Sequence, residues 1–181
     1  MKIQTLQINQ LTTERLVLIP YTIQICENLL KEDFSDLDKR NLKKGISWPD
    51  SDVLETLPRI LNNLLKVEAP TGFESWIIVK KETSEIIGDL GFKGFNNQNE
   101  NIDIGYGIIK EERQKGYAEE ATRELIKWAF SNEILKEITA NCVLNNANSI
   151  NLLEKLNFIN IKSDNEMMYW SLQNKKYRKI I

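Results

Sequence analysis

The chain has 181 residues, 28% of them charged, a formal net charge of −2 and 0 His. That length suits one domain around a single core, and the near-neutral balance argues against a general polyanion binder such as a nucleic-acid protein. Without histidine, any acid–base work falls to carboxylates, Tyr, Lys, Cys or water. Cys26 and Cys142 lie far apart and match no metal-ligand spacing, so both are expected as reduced, buried thiols of a cytoplasmic protein with no metal. The opening MKIQTLQINQ lacks the apolar block of a signal peptide, and no stretch approaches a membrane span, so no membrane partner is expected.

Thr12-Thr13-Glu14-Arg15 announces a short strand over residues 16–21, LVLIPY, ending near Pro20. Residues 22–31 read as a first helix with Ile23, Ile25, Cys26, Leu29 and Leu30 inward. Residues 33–52 are polar and broken by Gly45 and Pro49, which predicts a loop with helical fragments. Ser51-Asp52 can cap a second helix, in which Val53, Leu54, Leu57, Ile60, Leu61, Leu64 and Leu65 recur at helical spacing. Pro58 falls inside it and should kink or break it.

The period then changes. Residues 76–81 and 85–95 read as strands joined by the turn Glu82-Thr83-Ser84, and residues 96–99 turn into a strand over 102–109. Three consecutive antiparallel strands follow from this. A long amphipathic helix begins near Ala118 and buries Ala121, Leu125, Trp128 and Ala129, leaving Glu119, Glu120, Arg123, Glu124 and Lys127 to solvent. Residues 137–144 are a strand and 145–157 a helix with Ile150, Leu153 and Leu156 inward. A hairpin over 158–161 and 167–172 closes the chain. Lys175, Lys176, Arg178 and Lys179 make residues 173–181 a basic, solvated tail. The expected fold is α+β: one domain over 1–181 (core 11–172), a mixed, mostly antiparallel seven-stranded sheet, and helices on both faces.

Between the strand ending at Ile109 and the long helix lies Arg113-Gln114-Lys115-Gly116-Tyr117-Ala118. A glycine at the first turn lets a ligand approach the backbone, and the unpaired N–H groups with the helix dipole suit an anion, above all a phosphate. Strand alternation sets Asp103, Gly105, Gly107 and Ile109 on one face of residues 102–109. Two glycines beside a carboxylate leave that face open to a ligand, or mark a bulge or a closely packed helix.

Arg113-x-x-Gly116-x-Ala118 resembles the signature of the GNAT N-acetyltransferase superfamily. Asn146-x-x-Ser149 followed by Leu153-Glu154-Lys155-Leu156-Asn157-Phe158 resembles a second segment of it. The opening residues 11–18, LTTERLVL, with Gly88 and Ile104-Gly105-Tyr106, resemble the branch containing the ribosomal-protein N-terminal (alanine/serine) acetyltransferases. The resemblance spans residues 11–172. It implies acetyl-coenzyme A as cosubstrate, with its pyrophosphate on the amides of residues 113–118. Asn146 and Ser149 would lie along the pantetheine arm, although Asn146 and Asn148 also read as simple helix caps. It further implies oxyanion stabilisation by backbone N–H groups near Ile108 and Ile109, where two strands splay apart.

The expected activity is acetyl transfer to a primary amine by direct attack, without a covalent enzyme intermediate. The acceptor would be a protein N-terminus, an amino acid or a small amine. The alternative is a catalytically silent acyl-coenzyme A-binding or regulatory protein. Asp103 is the candidate base and acceptor contact, direct or through water; Asp89 is the runner-up, read first as an ordinary surface residue. Trp48, in the loop that walls the acceptor site in this fold, lines the pocket or packs in the core. Leu153 stands where many members place the Tyr that protonates the leaving thiolate, and Asn157 replaces a usual Gly. A homodimer is compatible with the family, and no residue decides it.

Overall fold

The computed structural model describes residues 8–96 and 98–177. The first half holds β1 (Leu11–Thr12), β2 (Leu16–Pro20), α1 (Ile23–Leu30), α2 (Ser35–Lys39), β3 (Lys43–Lys44) and α3 (Ser51–Leu64). A meander follows: β4 (Ser75–Lys80), β5 (Glu85–Asn96) and β6 (Asn101–Ile108). Then come α4 (Tyr117–Ser131), β7 (Glu137–Val143), α5 (Ala147–Lys155), β8 (Ile159–Ser163) and β9 (Met167–Gln173).

The strands form one mixed sheet in the order β1-β2-β4-β5-β6-β7-β9-β8, with β3 paired to β5 off that path. All seven expected strands are present. The two-residue β1 and β3 bring the total to nine, because isolated extended pairs of residues leave no periodic signal. β6 and β7 are the parallel neighbours at the centre, and α4 is the crossover between them.

Three local expectations are corrected. The side chain of Asp50, not of Ser51 or Asp52, caps α3 by accepting from Val53 N at 3.0 Å. α3 runs through Pro58 unbroken, since Val53, Leu57, Ile60 and Leu64 all stay buried along it. The chain is anchored two residues further than expected: Asn174 is buried and donates from Nδ2 to Leu135 O at 3.0 Å. Lys175 and Lys176 are exposed beyond it, whereas Arg178 and Lys179 lie outside the described residues. Asn157 adopts φ 65, the left-handed conformation that Asn tolerates best after Gly. Cys26 and Cys142 are free and buried.

The core lies on both faces of the sheet. Trp76 of β4 stacks edge-on against Trp128 of α4, with ring centroids 5.7 Å apart. Register carries that face through Leu90 to Tyr106. Alternation therefore turns Ile77, Asp89 and Gly107 to the opposite face, where α3 packs on β5.

Candidate active site

β6 and β7 pair at only three positions, Asn101↔Glu137, Ile102↔Ile138 and Asp103↔Thr139. Both strands continue unpaired towards each other, β6 to Ile108 and β7 to Val143, so a slot opens between them. On its other side β6 pairs with β5, and Ile109 N–H donates to Ile87 O at 2.9 Å. Antiparallel alternation then points the N–H groups of Ile108 and Tyr106 away from β5 and into the slot. Of the two amides expected as donors there, Ile108 N–H faces the slot. Ile109 does not, because its N–H is already spent on β5.

The slot leads to the start of α4. Gly116 is the N-cap residue, at φ 82, and no side chain caps the helix. The first amide turned back into the helix there is Glu120 N, donating to Gly116 O at 3.1 Å, so the amides of Tyr117, Ala118 and Glu119 stay free for an anion. Gln114 is also left-handed, at φ 62, which bends the loop ahead of them. Arg113 donates from Nε to Ile108 O at 2.8 Å and so latches the loop to the end of β6. Lys115 pairs with Glu112 at 3.0 Å.

Sequence reasoning missed Arg15. Its guanidinium lies over the Tyr117 ring, 4.5 Å from the centroid, and donates to Lys115 O at 3.0 Å and to Glu120 at 2.6 Å. An added Cβ on Gly116 would come within 3.3 Å of it. Arg15 and Glu120 are brought together across 105 residues, and no local pattern signals such a pair.

At the far side of the slot, Asn146 caps α5 by accepting from Ser149 N at 3.1 Å, so the capping reading describes its oxygen and leaves its amide N–H groups free. Ser149 also touches Tyr106, whose hydroxyl burial pushes up to about 12, so it keeps its proton at neutral pH. Leu153 is packed in the core.

The other face of β6 opens on a cleft of about 240 Å³. α3 lines it with Asp52, Thr56, Arg59 and Asn63, and the sheet lines it with Asp89 and the glycines of β5 and β6. An added Cβ on Gly105 would meet nothing within 4 Å, so this glycine opens a window and does not accommodate a packed helix. Asp89 is half-buried at the floor of the cleft. Desolvation, and then the nearby Asp50 and Asp52, raise its carboxyl to about 7, while Arg59 opposes them.

Asp103 shares that face but does not line the cleft. It forms an ion pair with Lys93 and accepts from Thr139 Oγ1 at 3.2 Å and Asn141 Nδ2 at 3.3 Å, so its carboxylate fastens β6 to β7. Trp48 is buried in the core at 3% exposure and is not among the cleft residues, in line with its packing alternative.

A profile described as "Acetyltransferase (GNAT) domain" matches residues 15–159. The uncharacterized N-acetyltransferase YjdG of Bacillus subtilis (strain 168) is 39% identical over 160 residues, which is 88% of this chain and 95% of that protein. The ribosomal-protein alanine acetyltransferase structure from Vibrio fischeri is similar in fold, with a TM-score of 0.66 at 15% identity, covering 94% of this chain and 99% of that one. The microcin self-immunity acetyltransferase MccE, solved with acetyl-CoA and AMP, has a TM-score of 0.62 at 16% identity, covering 88% of this chain and 93% of its own.

Proposed function

We propose an activity from one premise: the chain belongs to the GNAT acetyltransferase family. It is an acetyl-coenzyme A-dependent N-acetyltransferase whose acceptor is a primary amine. One observation carries this reading. β6 is open on both sides at the same height, to the slot leading to the uncapped start of α4 and, through Gly105, to the cleft that holds Asp89.

The chain's residues fit the coenzyme. The free amides at Tyr117, Ala118 and Glu119 suit its pyrophosphate, Gly116 leaves the approach clear, and the slot between β6 and β7 suits an extended arm. Acetyl-coenzyme A, when bound, supplies the acetyl group activated as a thioester. The acceptor ammonium, entering from the α3 side, gives its proton to the Asp89 carboxylate. A group titrating near 7 is matched to that task at neutral pH. The freed amine attacks through the Gly105 window. A C–N bond forms as the C–S bond breaks; the electron pair leaves with sulfur, and the second amine proton passes through water to the thiolate, which departs as the free thiol. Ile108 N–H is aimed to stabilise the developing oxyanion. We assign the proton to Asp89 in preference to Asp103 because Asp103 is already engaged by Lys93, Thr139 and Asn141.

Leu153 favours the second reading, a silent acyl-coenzyme A-binding protein, because a buried leucine supplies no proton to a leaving thiolate. Free-thiol release from acetyl-coenzyme A across a panel of amines separates the two. Amine-dependent thiol release supports the enzyme. Tight coenzyme binding with no release for any amine supports the silent protein.

A further inference from the structure

The charges around the cleft are unevenly partnered. Lys93 is paired with Asp103, Thr56 Oγ1 donates to Val53 O at 3.0 Å, and Asn63 Nδ2 reaches Lys93 O at 3.5 Å. Among the described residues, neither Asp52 nor Arg59 makes an ion pair or a hydrogen bond through its side chain, yet both line the cleft. They lie on one face of α3, in the series 52, 56, 59, 63. Seven residues of helix separate them by about 10 Å along the axis. The cleft therefore has an acidic end, at Asp52 and the floor carboxylate of Asp89, and a basic end, at Arg59.

We propose that the acceptor is a zwitterionic amine of amino-acid to dipeptide size, its ammonium between Asp89 and Asp52 and its carboxylate on Arg59. This rests on the acetyl-transfer reading above. An unpaired guanidinium in a cleft recognises a carboxylate through two parallel N–H donors. A diamine or polyamine, by contrast, would set its second cation against Arg59, which costs affinity. The size follows from the cleft, whose volume of about 240 Å³ lies below the roughly 300–1,000 Å³ of drug-sized ligand sites and suits an acceptor of one or two residues. The acceptor's amine lies at the Asp89 end, beside Gly107, and its carboxylate lies further along α3 at Arg59.

The test is steady-state thiol release from acetyl-coenzyme A with matched acceptors: amino acids against their amides, dipeptides ending in Glu against those ending in Gln amide, a simple diamine, and longer peptides. The carboxylate member of each pair is expected to show kcat/KM higher by about ten-fold or more, the scale of a charge-assisted bidentate contact. Arg59→Glu should bring that ratio to about one or invert it, and Arg59→Lys should retain part of it. A wild-type ratio near one, a ratio untouched by Arg59→Glu, or a preference for the diamine would overturn the proposal while leaving acetyl transfer intact. Turnover of the longer peptides alone would overturn the size assignment. No thiol release with any amine, from protein that binds coenzyme A, would defeat the acetyl-transfer reading and this inference with it.

Discussion

The carboxylate of Asp89 stands over Gly107: an added Cβ on that glycine would lie 3.5 Å from Asp89 Oδ1. The two residues are register partners on β5 and β6, so the acid is held where the strand bordering the slot has no side chain. The proton transfer proposed for Asp89 rests on this placement on a strand.

The first prediction concerns rate. Asp89→Asn should lower kcat by ~10²–10⁴-fold, the usual yield of a general base. Wild-type kcat/KM should rise with pH through about 7, as the Asp89 carboxyl loses its proton, and Asp89→Asn should lack that limb. Asp103→Asn should cost less and leave the limb in place. If Asp103→Asn removes the limb and Asp89→Asn keeps it, the base is Asp103.

Stability follows from the same group with a definite sign. The folded chain holds the Asp89 proton more tightly than the unfolded chain does, because burial raises the carboxyl from 3.8 to about 7. The stability contributed by the neutral carboxyl is complete below the unfolded value and is lost as pH rises through the folded one. Asp89→Asn should therefore be more stable than wild type at pH 8 by roughly 1–3 kcal/mol, at about 1.4 kcal/mol per unit less solvent screening, and should unfold at a higher temperature. The gap should close at pH 4. Parallel melting profiles at both pH values would show that Asp89 is solvated.

Glycines 88 and 105 should respond in opposite ways. A Cβ at Gly88 would come 2.1 Å from Gly107 O, so Gly88→Ala should destabilise the fold by several kcal/mol. Gly105→Ala meets open space and should fold normally. It should raise KM for the amine or lower kcat several-fold while coenzyme affinity holds. Unchanged turnover by Gly105→Ala would remove the window from the acceptor path.

Coenzyme binding should depend on the Gly116 backbone and on Arg15. Gly116→Asp brings a carboxylate and a strained φ to the uncapped helix start and should weaken binding at least ~ten-fold. Arg15→Gln loses the bonds to Lys115 O and Glu120 and should cost about 1–2 kcal/mol of coenzyme affinity. Calorimetry that finds both variants close to wild type would sink the cradle.

What the sequence made legible was mostly local. The seven long strands, the glycine at the start of α4 and the left-handed Asn157 all follow from short-range pattern and residue chemistry. The choice between Asp89 and Asp103 was not legible, because both fall on one face once β5 and β6 pair. Only register, shifted by an irregularity between Phe92 and Phe95, sets Asp89 opposite Gly107. Trp48 illustrates the same limit: an aromatic in a loop reads alike whether it walls a pocket or fills the core, and here it fills the core. The Asp50 cap differs from the expected one by a single residue, within the ordinary slack of helix starts.

The short pairing of β6 with β7 has a mechanical consequence. The sheet is two panels, β1 to β6 and β7 to β9, joined along their shared border by a spine of three residue pairs and by the Asp103 contacts to Thr139 and Asn141. An extended molecule lying between them acts as a rivet, replacing the missing ladder with its own carbonyls and amides. Binding there stabilises the whole fold as well as the occupied residues. Amide exchange at Tyr106 and Ile108, on the open border, should slow when coenzyme A is added, and exchange at Ile109, already bonded to Ile87, should change far less.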